Sequence, residues 1–107
     1  MIVQSYNKLV RDNIPSFIAR DKQIGHFYTM TEVDYNAALE HKLSEEVSEY
    51  LESRETMELA DILEVVQAIA EMHGLTFEQL WDMKEEKRKR CGGFNNRLFL
   101  EKIEIPE

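Results

Sequence analysis

Apolar residues recur at every third or fourth position over three long stretches of the chain, which is the spacing of an amphipathic helix. The pattern predicts helices from about Glu32 to Leu51, from Glu55 to His73 and from Phe77 to Arg90. A shorter helix is predicted from about Ile14 to Lys22, with Pro15 in its first turn. The fold class indicated by these stretches is mainly α.

The ends of the long helices carry residues that helix termini prefer. Thr31 and Asp34 resemble a capping box in which an acid replaces the usual Glu or Gln, and Thr76 with Gln79 forms a complete box. Gly74 follows the second long helix and a Gly-Gly pair follows the third, as is usual just past a helix C-terminus. Because only a few polar residues separate the first two long helices, we expect them to form an antiparallel hairpin.

Two further apolar runs are too short or too irregular for helices. The run His26–Met30 reads HFYTM, which indicates a short strand or an extended arm. Residues 95–107 alternate imperfectly, so we expect an extended segment that can pair with the 26–30 run. The prediction is therefore one domain over residues 1–107, a helical bundle with short extended N- and C-terminal segments. Its broad apolar surface favours self-association into a homodimer or homotetramer.

Two pairs of carboxylates with i, i+3 spacing flank the predicted hairpin turn: Glu46 with Glu49, and Glu58 with Asp61. Residues three apart share a helix face, so each pair directs two carboxylates at one place. With about 100° of rotation per residue, Glu46 falls inside the apolar arc of its helix, Glu49 at the edge of that arc, and Glu45 on the opposite side. Glu58 likewise falls inside the apolar arc of the second long helix, with Asp61 at the margin.

An ionised carboxylate in an apolar seam is unfavourable unless it is neutralised or finds a cation. Basic residues do not occupy the same arcs in equal number. Four carboxylates from two packed helices would instead make an all-oxygen ligand set for a hard divalent ion, Mg²⁺ or Mn²⁺. The alternative is that all these acids are ordinary exposed residues of Glu-rich helices, which explains the acids of the polar faces but not Glu46 and Glu58.

The overall charge limits the class of partner. With 13 basic and 21 acidic residues the formal net charge is −8, which argues against nucleic acid or an anionic membrane as partner. A nucleotide substrate stays open, because bound metal reverses the local sign of charge. The single Cys91 permits no internal disulfide, and no signal-peptide pattern or long apolar run occurs, so we expect a cytoplasmic protein.

Basic residues in two places are candidates for binding phosphate. The basic end of the third long helix contains Lys84, Lys87 and Arg88, and the N-terminal segment contains Lys8 and Arg11. Beside a metal site, such side chains would neutralise phosphate oxygens. The alternative is that they are solvated cations, which the helix dipole favours near a helix C-terminus.

Several sequence motifs resemble those of a known superfamily. EEVSE at 45–49, ELAD at 58–61 and the following ILEVVQAIA resemble the E-x-x-E and E-x-x-D motif pair of the all-α nucleoside triphosphate pyrophosphohydrolases. The opening YNKLVRDNIP and the GGF at 92–94 resemble a MazG-like or phosphoribosyl-ATP pyrophosphohydrolase-like branch. Many relatives carry an arginine before the Gly-Gly pair where this chain has Cys91, so Arg88 or Arg90 would have to replace any phosphate contact made by that arginine.

The resemblance implies an oligomeric α-helical enzyme that uses Mg²⁺ to hydrolyse a nucleotide between its α and β phosphates. Glu46, Glu49, Glu58 and Asp61 would be the metal ligands, with Glu46 and Glu49 as the catalytic pair nearest the attacking water. Removal of non-standard or excess nucleoside triphosphates is the expected role. Phosphoribosyl-ATP is an alternative substrate, and a non-catalytic nucleotide-binding helical dimer is an alternative of another class.

Overall fold

A computed structural model describes residues 1–107 and contains four α-helices and no β-strand. The helices are α1 (Ile14–Arg20), α2 (Glu32–Ser53), α3 (Thr56–Met72) and α4 (Phe77–Cys91). The mainly α prediction is confirmed, and each predicted helix is present to within two residues at either end.

Side-chain caps define where α2 and α4 begin. The backbone N–H of Asp34 donates to Thr31 Oγ1 at 3.2 Å. At the start of α4 the bonds are reciprocal: the Gln79 N–H donates to Thr76 Oγ1 at 3.1 Å, and the Thr76 N–H donates to Gln79 Oε1 at 2.9 Å. Both predicted caps are confirmed, and a cap of this kind contributes about 1 kcal/mol to helix stability.

Helix α2 ends at Ser53, two residues later than predicted, and the residue that follows it is an arginine in place of the usual glycine. Arg54 adopts a left-handed conformation, with φ of 63°, and its N–H donates to the Tyr50 carbonyl at 2.7 Å. Its Nε also donates to the Leu51 carbonyl at 2.8 Å, which satisfies a second terminal acceptor. These bonds let α2 continue to Ser53.

A short connection joins α2 and α3, which pack against each other as the predicted hairpin, and α4 packs against α3 alone. The buried apolar residues are Leu39 of α2 with Val65 and Ala70 of α3. Leu39 and Val65 lie on the faces that the helical periodicity assigned to the core. The hairpin is therefore the part of the protomer with an interior.

The protomer as a whole is extended. Its radius of gyration is 19.5 Å, whereas a compact chain of this length has about 13 Å. Its accessible surface is 10,369 Å², against about 6,200 Å² for a compact protein of the same mass. Large apolar side chains are exposed on α3, on α4 and in both terminal segments. None of the helices has both the length and the apolar composition that a bilayer crossing requires.

The predicted pairing between residues 26–30 and residues 95–107 is wrong. Neither run forms a strand, and no backbone hydrogen bond joins them. Almost every residue in both runs is exposed, so no buried face selects a pairing register. Residues 26–30 have no regular secondary structure, and the second run begins with a turn in which the Arg97 N–H donates to the Phe94 carbonyl at 3.0 Å.

Candidate metal centre

The structure brings the predicted carboxylates together near the turn between α2 and α3. Glu46, Glu58 and Asp61 each offer one oxygen, and these oxygens lie within 4.8 Å of one another. Glu46 also forms a group of the same spacing with Glu45 and Glu49. Glu46 is the common member of both groups, so it lies at the middle of the cluster.

Two oxygens of this cluster are buried without a partner. Glu46 is only 7% exposed, on the same face of α2 as the buried Leu39 two turns earlier. Glu46 Oε2 and Glu58 Oε2 are both enclosed, and neither accepts a hydrogen bond. A buried polar atom without a partner is destabilising, so a cation between these two oxygens on facing helices would remove that penalty.

The surroundings of the buried Glu46 and the half-buried Glu58 oppose their ionisation. Burial raises the pKa of Glu46, the nearby Glu49 carboxylate raises it further, and Lys42 lowers it. Burial also raises the pKa of Glu58, with further contributions from the negative charges of Asp61 and Glu46. The cluster is therefore short of positive charge, and a divalent cation would reverse both effects.

Two cations of the chain reach the cluster from different elements. Lys42 Nζ lies 3.4 Å from Glu46 Oε1 and 3.6 Å from Glu45 Oε1. Arg11 Nη2 donates to Asp61 Oδ1 at 2.9 Å. Each cation pairs with an oxygen other than the two orphaned ones, so the centre of the cluster keeps its negative charge.

Glu45 is the residue that sequence reasoning missed. Its helical angle placed it on the polar side of α2, but its carboxylate lies within ligand distance of Glu46 and Glu49. The long Glu side chain reaches across the edge of the helix, where Lys42 holds it. The i, i+3 spacing of Lys42 and Glu45 is a signal in the sequence that could have found this contact.

Lys84, predicted to bind phosphate, has local partners on α4. Its Nζ lies 2.9 Å from Glu85 Oε1 and 4.6 Å from the centroid of the Trp81 ring. The hydrogen bond from Lys84 lowers the pKa of Glu85. This cation is thus already paired within its own helix.

Three of the other predicted phosphate-binding cations, Lys8, Lys87 and Arg88, form no ion pair with a carboxylate of the cluster. Lys87 is exposed, and the guanidinium of Arg88 lies beside Gly93. Lys8 Nζ lies 5.7 Å from the Tyr6 ring centroid. Of the five predicted residues, only the N-terminal arginine forms an ion pair with a candidate metal ligand. Phosphate binding by all five stays a prediction.

The residues present fit a hard divalent cation. The candidate ligands are all carboxylate oxygens, two of them orphaned and enclosed, and both helices that hold them are fixed by the hairpin packing. This donor set suits Mg²⁺ and Mn²⁺ alike. Comparisons with protein-family models, with curated proteins and with solved structures return no match to this chain.

Proposed function

We propose that the protein is a Mg²⁺-dependent nucleotide pyrophosphohydrolase, with Mn²⁺ as a substitute metal. It cleaves a nucleoside triphosphate, or a related nucleotide, between the α and β phosphates. The observation that carries the proposal is the pair of orphaned buried oxygens, Glu46 Oε2 and Glu58 Oε2, in the seam between α2 and α3. A cation between them is the simplest explanation of two acids in an apolar seam.

The chemistry demands little covalent help from the protein. Phosphoryl transfer depends mainly on positioning and on neutralising the phosphate oxygens. When bound, the metal ion supplies a Lewis acid and lowers the pKa of a coordinated water. Water adds to a phosphorus of the α–β bridge, the bridging P–O bond breaks, and a nucleoside monophosphate and pyrophosphate leave.

The burial of each carboxylate suggests a division of roles. Glu46, Glu58 and Asp61 are enclosed or half-buried and serve as metal ligands. Glu49 is exposed and lies beside Glu46, so it completes the ligand set on the side open to substrate. With Glu46 it forms the catalytic pair that orients the attacking water and accepts its proton.

A homodimer or homotetramer belongs to the same proposal. The protomer exposes about 4,000 Å² more than a compact protein of its mass, and a stable interface needs only about 800 Å² from each partner. An apolar groove of about 300 Å³ lies between α3 and α4, lined chiefly by Leu63, Val66, Phe77, Leu80 and Trp81. A second copy would cover this groove and bring further basic residues to the cluster.

A cytoplasmic location belongs to the same proposal. Cys91 is exposed and free, which suits the reducing cytoplasm. The net charge of −8 disfavours nucleic acid and anionic membranes as partners. The partners that we propose are small nucleotides bound together with a divalent cation.

Pyrophosphate release from a panel of substrates tests the proposed function. The panel contains the common and non-standard NTPs, the dNTPs and phosphoribosyl-ATP, each with Mg²⁺ and each with EDTA. We expect Mg²⁺-dependent release of pyrophosphate with at least one NTP or dNTP. Turnover of phosphoribosyl-ATP alone would assign the alternative substrate, and tight binding of nucleotide without any turnover would make the protein a nucleotide-binding module.

A further inference from the structure

One ion pair joins distant parts of the chain, and it ends at the candidate metal centre. Arg11 Nη2 donates to Asp61 Oδ1 at 2.9 Å, across 50 positions of sequence. The other ion pairs join residues at most four positions apart. The N-terminal segment therefore has a specific charged contact with a candidate metal ligand.

Arg11 is anchored through its backbone, whereas its guanidinium is exposed to solvent. Leu9, Val10 and Ile14 on either side are partly buried, and the Ile14 N–H donates to the Arg11 carbonyl at 3.1 Å. The Arg11 side chain, however, is 59% exposed, and that of Asp61 is 36% exposed. The guanidinium can leave Asp61 without displacing the segment, and its anchored backbone keeps it near the cluster.

Arg11 and a divalent cation are rivals for the same carboxylate. An Asp61 oxygen lies within 4.8 Å of oxygens from Glu46 and Glu58, so a cation held by this group would be close to the guanidinium. A guanidinium is always charged and has no acceptor atom, so it repels a nearby cation. A phosphate group, in contrast, attracts the guanidinium, because two of its oxygens can accept charge-assisted hydrogen bonds from it.

We propose that Arg11 is a mobile counter-ion that holds Asp61 until metal and nucleotide bind together, and then turns to a phosphate oxygen of the nucleotide. The inference rests on the proposed function. It makes Arg11 a residue with opposite effects on two ligands, because it opposes the metal ion alone and favours the metal ion with a polyphosphate. Binding of metal and of nucleotide is thereby coupled through one side chain.

The test compares Arg11→Ala, Arg11→Gln and Arg11→Lys with the wild-type protein. Arg20→Ala is the matched control, because Arg20 lies over the Phe17 ring and pairs with no carboxylate. One readout is Mn²⁺ affinity, from the free-ion signal in electron paramagnetic resonance. The other is calorimetric titration with the Mg²⁺ complex of bis-methylene triphosphate, in which CH₂ groups replace both bridging oxygens, so that it cannot be hydrolysed and carries no base.

We expect Arg11→Ala and Arg11→Gln to tighten Mn²⁺ binding by about two- to fivefold, the size of an exposed ion pair. The same variants should weaken binding of the Mg²⁺–triphosphate complex by about tenfold, through loss of a charge-assisted contact. Arg11→Lys should lie between these and the wild type, and Arg20→Ala should match the wild type. Since residue 11 lies outside the helices, the variants should retain the helical circular dichroism of the wild type.

Different results would contradict the role of Arg11 and the proposed function. If the Arg11 variants weaken both ligands, the arginine has only a structural role and the inference is overturned. If Mn²⁺ binds wild type and variants equally, the inference also fails while the metal centre survives. If the wild type binds neither Mn²⁺ alone nor the Mg²⁺–triphosphate complex, both the inference and the proposed function are overturned.

Discussion

The α2–α3 hairpin and helix α4 are built on similar sequence patterns but reach different outcomes. Both have apolar residues at helical spacing, and both begin at a threonine cap. The hairpin buries Leu39, Val65 and Ala70. Carboxylates of Glu46 and Glu58 also lie between its helices, whereas α4 has no buried residue. Because a short loop joins α2 to α3, these two helices pack against each other along their lengths, while α4 packs against only part of α3.

The charges of the two regions differ in the same way. In the hairpin, burial raises the pKa of Glu46 and Glu58. On α4 the hydrogen bond from Lys84 lowers the pKa of the half-buried Glu85, so that acid and base neutralise each other locally. The hairpin therefore encloses carboxylate oxygens that have no partner, whereas α4 balances the Glu85 charge with a cation of the same helix.

We expect the largest effect from removing the negative charges of Glu46 and Glu58, which distinguish the hairpin from α4. Glu46→Gln and Glu58→Gln each replace a proposed metal ligand, and we expect the proposed pyrophosphohydrolase turnover to fall by about 100-fold or more. Glu64→Gln is the control, because Glu64 lies on the exposed face of α3 and belongs to neither carboxylate group. Steady-state pyrophosphate release measures all three. Equal activity in Glu46→Gln and Glu64→Gln would contradict the metal centre.

The next test places a charge in the apolar groove between α3 and α4. Leu63 lines that groove and is 48% exposed in the protomer. If a second copy covers it, Leu63→Glu buries an unpaired charge at the interface and dissociates the oligomer. Light scattering coupled to gel filtration measures the mass, with Ser48→Glu on the polar face of α2 as the control. A wild-type protein of 12.6 kDa at every concentration would refute self-association.

A smaller effect is expected on the free energy of unfolding, which should decrease as the pH rises above 4.5. Glu46 and Glu58 have pKa values above the ordinary 4.5, so between 4.5 and the raised values the folded state binds more protons than the unfolded state. Their contribution to stability is therefore greatest at the acid end of this window and is lost as the pH rises through it.

Mg²⁺ should reverse this trend, because the metal binds the ionised carboxylates. Thermal melting across the window, with and without Mg²⁺, measures both slopes. The double variant Glu46→Gln with Glu58→Gln provides the reference, because it lacks both titrating groups. Identical pH profiles for the double variant and the wild type would show that the two acids do not carry the effect.

The smallest expected effect is on α4. If α4 of a second copy supplies cations to the proposed site, Lys87→Ala or Arg88→Ala should raise the KM for nucleotide by about threefold, since each removes one exposed positive charge. The effect should shrink at high salt, and Mn²⁺ affinity should not change. Lys102→Ala is the control, since Lys102 pairs only with the neighbouring Glu104 in the C-terminal segment. A KM that is unaffected at low salt would remove α4 from the substrate site.

Helical periodicity was enough to predict the centre of the candidate site. The phase of α2 placed Glu46 in the apolar arc and Glu49 at its edge, and the structure has the first buried and the second exposed. The same argument placed Glu58 and Asp61, which are half-buried. These positions follow from local geometry, because one turn and a short loop determine which faces meet.

Contacts that depend on distant segments could not be predicted in this way. The pairing of Arg11 with Asp61 spans 50 positions, and no periodicity relates the two residues. The expected pairing of residues 26–30 with 95–107 failed for a related reason, since alternation indicates an extended segment but does not identify its partner. Glu45 was missed because helical angles describe the backbone and not the reach of a long side chain.

The most direct test of the central claim is the melting temperature at neutral pH with and without millimolar Mg²⁺, for the wild type and for Glu46→Gln. The account predicts that Mg²⁺ raises the melting temperature of the wild type. It predicts that Glu46→Gln melts higher than the wild type in EDTA, because a disfavoured buried charge is gone, and that it gains little from Mg²⁺. A wild-type melting temperature that does not change with Mg²⁺ would contradict the claim that a cation belongs between the two buried acids.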